Sequence, residues 1–217
     1  MIEGIEVAID REAVVVTARE PLTVLSSAFV RGGLTTARAI VNLHVPKNLR
    51  EDQAGDLLPR FTVRRAIPRP WVGLLTAAWT ERAEVAHVRE GGLSAIAMVT
   101  VGLSNPVAAG ATPVAEWAPS TINVIVVVDG AAETAALVNA AMTVTEVKAA
   151  LLAAADVRCD DGSVASGTST DAVVIAVTGR GAPHRFGGPI SDLGWVVARA
   201  TRDALEPGIR RWMAEHS

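Results

Sequence analysis

Apolar residues gather into runs along this chain, and the polar, Gly and Pro residues between the runs separate its elements. Short runs of β-branched and other apolar residues, broken by Gly, Pro and Asp, predict strands. Residues 4–9 and 13–17 are two such runs joined at Asp10-Arg11, which predicts a hairpin. Pro21 to Leu25 reads as a further strand leading into Ser26-Ser27, and Thr36 to Val45 as another. Trp71 to Ala78, Glu84 to Arg89 and Ser94 to Val101 continue the series, with Gly91-Gly92 as a turn. Thr121 to Val128 is continuously apolar, the pattern of a strand covered on both faces. Thr170 to Thr178 predicts one more strand, after a turn at Asp160-Asp161-Gly162.

Helical patterns are fewer. Asp52 to Phe61 predicts a short helix with Asp52 as its cap. Ala131 to about Ala155 is alanine-rich and has no internal Gly or Pro. Ser191 to about Leu205 predicts a third helix, with Pro207 starting a final turn. There is no internal repeat and no linker-like stretch. The expected architecture is α+β or mixed α/β, a single domain over residues 1–217 with a layered β-sheet and a few helices, including the long one near 131–155.

Composition narrows the function classes. Half of the 217 residues are hydrophobic and the mean hydropathy is +0.33, enough for a substantial core. A net charge of −3 and the lack of any basic run argue against nucleic acid as a partner. The lone Cys159 excludes an internal disulfide, and the four histidines show no metal-site spacing. The N-terminus lacks signal-peptide character. The apolar run Ala135 to Ala155 carries Glu146 and Lys148, so it predicts a core helix rather than a membrane span. A cytoplasmic protein is expected, and self-association is left open.

Candidate chemistry concentrates at Ser166-Gly167-Thr168-Ser169-Thr170-Asp171, just before the apolar residues 172–177. Hydroxyls at a strand start can serve only the local backbone. They also suit acyl transfer, which needs a base, a nucleophile or activated water, and oxyanion donors. On the long helix, Asn139, Thr143 and Glu146 share one face at i, i+4 and i+7, either facing solvent or lining a site. Lys148 lies about 200° around from Glu146, so the two do not pair. Asn42, Asn105 and Asn123 stand in or beside apolar runs, where each bonds backbone or a substrate amide. Trp71, Trp79, Trp117 and Trp195 could pack a core or flank a flat ligand. The glycine pairs Gly32-Gly33 and Gly187-Gly188 match no phosphate-binding fingerprint and read as turns.

The order of these pieces resembles the adenosylcobinamide amidohydrolases, the CbiZ type. Val24-Leu25-Ser26-Ser27-Ala28, Gly32-Gly33, Asn42 and Val72 to Ala78 look like the N-terminal half of that family. Thr100 to Asn105, Thr121-Ile122-Asn123, Glu146-Val147-Lys148 and Gly167 to Asp171 look like the second half. The resemblance spans about Pro21 to about Ala204. The chain departs from the pattern at Ser169, where glycine is common, and at Pro106 and Val147, which replace smaller residues.

The resemblance implies hydrolysis of the amide joining aminopropanol to the corrin ring of adenosylcobinamide, giving adenosylcobyric acid for coenzyme B12 salvage. The corrinoid is then substrate, and no protein cofactor is expected. Asp171 and Glu146 are the candidate bases, Thr168 and Thr170 the candidate nucleophiles or donors, and Lys148 a donor. Ser27, Asn42, Asn105, Asn123 and Ser169 are candidate substrate contacts. A corrinoid-binding or regulatory module without turnover, and an acyltransferase or peptidase with a threonine nucleophile, remain alternative readings. Metal ligands are not expected.

Overall fold

The computed structural model describes residues 2–114 and 120–216. In chain order the elements are β1 (Ile5–Ile9), β2 (Ala13–Ser26), β3 (Gly33–His44), α1 (Glu51–Ala54), α2 (Leu57–Arg64), β4 (Trp71–Thr76), β5 (Glu84–Glu90), β6 (Leu93–Val101) and β7 (Pro106–Val107). They continue with β8 (Ile122–Asp129), β9 (Ala131–Ala132), α3 (Thr134–Ala154), β10 (Gly167–Thr168), β11 (Ala172–Val177), β12 (Pro183–His184) and α4 (Asp192–His216).

Eight strands make one mixed sheet in the order β4-β3-β2-β11-β8-β6-β5, with β1 added beside β2. The long β2 makes this arrangement possible. Its first half pairs with β1 and its last four residues pair with β11. Between them the β2–β3 register slips: Thr17 faces Ala39, whereas Leu22 already faces Ala37. The extra residues fall between Ala18 and Leu22, where Arg19, Glu20 and Pro21 are exposed, and a bulge is where a strand tolerates proline. What the pattern predicts as two strands, 13–17 and 21–25, is therefore one strand bent by a bulge.

The bend folds the sheet into two leaves that face each other. Strand alternation sends Val14, Val16, Val24, Ile40, Val72 and Leu74 inward from one leaf. Ile96, Met98, Ile125, Val127 and Val174 meet them from the other, in one buried cluster. The outer face of the β3–β4 leaf packs on α2 through Val41, Leu43, Leu58, Phe61 and Trp71. The outer face of β11-β8-β6 packs on α3 and α4 through residues such as Val124, Val126, Leu137, Leu152, Ile175 and Leu205. The layers are helix, leaf, leaf, helix, a mixed α/β fold. β8 is covered on both faces, which suits its unbroken apolar run from Val124 to Val128.

Three local expectations differ from the structure. Asp52 lies inside α1 and bonds Arg50, so it caps nothing. The long helix begins at Thr134, because Ala131–Ala132 pair with Pro183–His184 instead. Pro207 does not start a new turn; it lies within α4, which runs on to His216. Pro207 is on the exposed side, where water can take up the carbonyl that loses its N–H partner. The adjacent Leu205, Gly208 and Ile209 are buried and hold the helix on course. A Cβ on Gly208 would stand 2.8 Å from Val101 Cγ2, so only glycine lets α4 approach β6 this closely.

By length and composition α3 could cross a membrane. Here it packs its Ala136, Leu137, Ala140, Val144, Leu151 and Leu152 into the core.

Candidate functional site

Sheet order brings the C-termini of β2 and β6 and the N-termini of β8 and β11 to one end of the sandwich, and the C-terminal parts of β3 and β4 reach them across the leaves through Asn42 and the Leu75 carbonyl. Side-chain parity then sorts their polar residues into two groups.

The first group faces inward, between the leaves. Asn123 and Asn42 are buried and bonded to each other, Nδ2 to Oδ1, at 2.8 Å. Asn123 also donates to the Leu75 carbonyl at 2.9 Å and accepts the Thr121 hydroxyl at 2.9 Å. Asn42 donates to Thr100 Oγ1 at 3.0 Å. Thr121 Oγ1 has the Thr170 carbonyl as a second acceptor at 2.8 Å. The two buried amides are thus spent largely on protein partners, and they tie β3 and β4 to β6 and β8. Thr100 and Thr121 complete this network, and the sequence reading did not single them out as site residues.

The second group faces α3. Asp171 stands one residue before β11, and Lys148 reaches it from α3. Their side chains are 9% and 10% exposed, and Lys148 Nζ donates to Asp171 Oδ2. Asp171 accepts three further bonds. The Thr168 backbone N–H reaches Oδ2 at 3.0 Å, the Ile122 N–H reaches Oδ1 at 2.9 Å, and the Thr168 hydroxyl also lies on Oδ1. Four donors on two oxygens satisfy an ionised carboxylate, whose oxygens act only as acceptors.

Gly167 explains itself here. It pairs with Val107 in the β7–β10 ribbon, which fixes the loop. A Cβ on it would lie 2.5 Å from Asp171 Oδ2 and 2.9 Å from Lys148 Nζ. A residue without a side chain is what allows the backbone this close to the ion pair.

The threonine hydroxyls turn away from solvent. Thr168 Oγ1 lies 2.8 Å from the Ser120 carbonyl as well as on Asp171, and its single proton serves one of the two at a time. Thr170 Oγ1 donates to the same Ser120 carbonyl at 3.2 Å. That backbone acceptor had no side-chain signal in the sequence. Asn105 Nδ2 donates to Ser169 Oγ at 2.6 Å, pinning the 103–107 loop to the 167–170 loop.

Beside the ion pair an open groove of about 600 Å³ runs between α3 and the ends of β2 and β11. Its lining includes Ser27, Glu146, Lys148 and Asp171, together with Leu25, Val138 and Met142. Glu146 is exposed, and among the described residues its carboxylate has no hydrogen-bond or ion-pair partner. Helical geometry separates Glu146 from Lys148 as expected, yet both border the groove. The anticipated polar stripe divides: Thr143 turns inward to bond the Gly187 carbonyl at 3.0 Å, and Asn139 is half-buried. Ser27 Oγ accepts the Val173 N–H at 3.0 Å. Ser26 also borders the groove, and its buried Oγ has no partner among the described residues.

No tryptophan lines this groove among the described residues. Trp71 is core, Trp79 stacks on His44 and Trp195 is half-exposed on α4. Trp117 lies outside the described residues. Nor do three His, Cys, Asp or Glu side chains converge among the described residues.

The sequence model of the adenosylcobinamide amidohydrolases matches residues 1–217. An adenosylcobinamide amidohydrolase of Halobacterium salinarum is 30% identical over 187 residues, covering 82% of this chain and 76% of that one. Among solved structures, a β-aminopeptidase of Burkholderia sp. superposes with a TM-score of 0.50 at 14% identity, over 96% of this chain and 83% of the other. An L-aminopeptidase D-Ala-esterase/amidase of Ochrobactrum anthropi, described as a variant of the Ntn hydrolase fold, gives 0.38 at 12% identity, over 95% and 81%.

Proposed function

The chain belongs to the adenosylcobinamide amidohydrolase family and is on that ground an amide hydrolase, and we propose that it cleaves the aminopropanol amide of adenosylcobinamide in the groove beside Lys148 and Asp171. The products are adenosylcobyric acid and aminopropanol. The observation that carries the reading is the buried ion pair opening onto a groove that also holds an unengaged carboxylate, Glu146.

The chemistry divides among these residues by their free valences. Amide hydrolysis needs a proton acceptor for the attacking water, a donor for the oxyanion and a proton for the departing amine. Asp171 is engaged by Lys148, by the Ile122 and Thr168 N–H groups and in part by the Thr168 hydroxyl, so its role is to hold Lys148 and the Thr168 loop in place. Glu146 has open acceptor positions and is the general base: it takes a proton from water as the oxygen attacks the amide carbon. Lys148 has three N–H bonds and gives one to Asp171; another faces the developing oxyanion. When the C–N bond breaks, the proton on Glu146 passes to the amine. The acid and the amine then leave with one water consumed and no proton unaccounted for.

A water mechanism also suits the threonines. The Thr168 hydroxyl is shared between Asp171 and the Ser120 carbonyl, the Thr170 hydroxyl points to that same carbonyl, and neither residue borders the groove. They act as positioning groups for Asp171 and for the start of β11.

Incubation with adenosylcobinamide, followed by chromatography for adenosylcobyric acid and aminopropanol, tests the assignment. Formation of both at equal rates is expected. Corrinoid bound but unchanged would replace the enzyme with a binding module. An intact mass split near Gly167-Thr168 would bring back a threonine nucleophile.

A further inference from the structure

The groove offers more surface than an aminopropanol amide can use. Lys148, Asp171 and Glu146 occupy its polar part. The wall formed by α3 is apolar: Val138 and Met142, one turn apart, are 45% and 55% exposed, and Ala141 stands between them. Leu25 and Val173 continue this apolar surface from the sheet side. Single exposed apolar residues are ordinary, but these are contiguous and they lead to the ion pair. The rim is supplied with hydroxyls. Ser27 Oγ accepts from Val173 N–H, and its own proton has no acceptor among the described residues. Ser26 Oγ is buried and has no partner among the described residues.

A corrin macrocycle has a flat body edged with methyl groups and peripheral amides. That chemistry matches an apolar wall with hydroxyl donors along its rim, and a volume of about 600 Å³ in an open groove seats one edge of such a ring. The geometry points to Val138 and Met142 of α3 as the platform for the corrin edge, with Ser27 donating to a peripheral amide carbonyl. This inference rests on the substrate reading above. It assigns affinity to residues that take no part in bond breaking. It also implies that adenosylcobyric acid, which keeps the macrocycle, competes for the groove, and that a small aminopropanol amide lacking the ring is a poor substrate.

The test places a charge on the platform. Met142→Glu and Val138→Glu alter exposed positions, and thermal melting checks that each variant folds as the parent does. In each, KM for adenosylcobinamide is expected to rise at least tenfold while kcat falls less than threefold. Equilibrium dialysis should show adenosylcobyric acid weakened by a similar factor, and Met142→Leu should bind as the parent does. Unchanged KM and unchanged dialysis in both charged variants overturn the platform. So does a change confined to the oligomeric state, which would make the wall a contact between copies of this chain. If the parent binds the corrinoid without hydrolysing it, the function reading fails while dialysis still decides the platform. If the parent binds no corrinoid, both fail.

Discussion

Lys148 and Asp171 lie 23 residues apart, and their pairing can be measured in two ways at once. Lys148→Met removes the cation and leaves a nearly buried carboxylate holding three of its four donors, Ile122 N–H, Thr168 N–H and the Thr168 hydroxyl. Stranding one member of a buried pair costs on the order of 3–5 kcal/mol. The three remaining donors and the opening to the groove bring the expected loss toward the lower end, about 3 kcal/mol. Asp171→Asn strands Lys148 instead and should cost about as much. In the double variant no charge is left unpaired, so the loss should fall short of the sum of the single losses by about 2 kcal/mol, as for residues in direct contact. Urea denaturation at pH 7 supplies the four stabilities. Turnover of adenosylcobinamide supplies the second readout, and all three variants should lose roughly 10²-fold or more, because even the double variant, in which no charge is stranded, lacks the oxyanion donor. Additive stabilities would show that the two groups do not interact, and a parental rate in Lys148→Met would remove the pair from the mechanism.

Glu146→Gln should separate function from stability in the other direction: unfolding free energy within about 0.5 kcal/mol of the parent, as for a surface position, and a rate roughly 10²-fold or more lower in the same turnover assay. Gly167→Ala should force Asp171 and Lys148 apart, since its methyl would meet both within 3 Å; a drop in kcat with a lowered melting temperature is expected, and a parental enzyme would refute the close approach. Exhaustive chelation should leave turnover unchanged, because no metal-ligating cluster converges among the described residues; loss on chelation with recovery on adding zinc or manganese would contradict this. Burial raises the Asp10 carboxyl, but the Arg65 guanidinium and the Glu12 and Ala13 N–H groups outweigh it, and the net shift is downward from 3.8. A depressed folded value means that Asp10 stabilises the fold above about pH 4 and loses that contribution as pH falls through the folded value; Asp10→Asn should therefore lower the melting temperature more at pH 7 than in acid below the folded value, and an equal effect at both would refute the linkage.

Several site features were legible because they depend on local chain geometry. Helical spacing alone states that Glu146 and Lys148 diverge, and they do. Gly167 to Asp171 stood out as too polar for the start of a buried strand, and that loop carries the ion pair and its donors. Other features had no local signal. The Ser120 carbonyl that collects two threonine hydroxyls is backbone. Thr100 and Thr121 look like ordinary strand residues until the folded sheet places them beside Asn42 and Asn123. Asn42 and Asn123 were readable as polar residues in apolar company. That they satisfy each other across 81 positions was not.

The sequence by itself determined most of the elements and the chemical inventory: strands from apolar and β-branched runs, the long helix from an alanine-rich stretch without Gly or Pro, and a loop rich in hydroxyls ahead of a carboxylate. These follow from interactions within a few residues, where side-chain period and backbone preference act directly. Tertiary structure decided which way each polar group faces. The bulge at Ala18 to Pro21 bends β2, the bend folds one sheet into two leaves, and sheet order then brings Lys148 to Asp171 and leaves Glu146 in the groove. Those outcomes depend on how distant apolar surfaces bury one another, a sum over the whole core to which no short stretch of sequence corresponds.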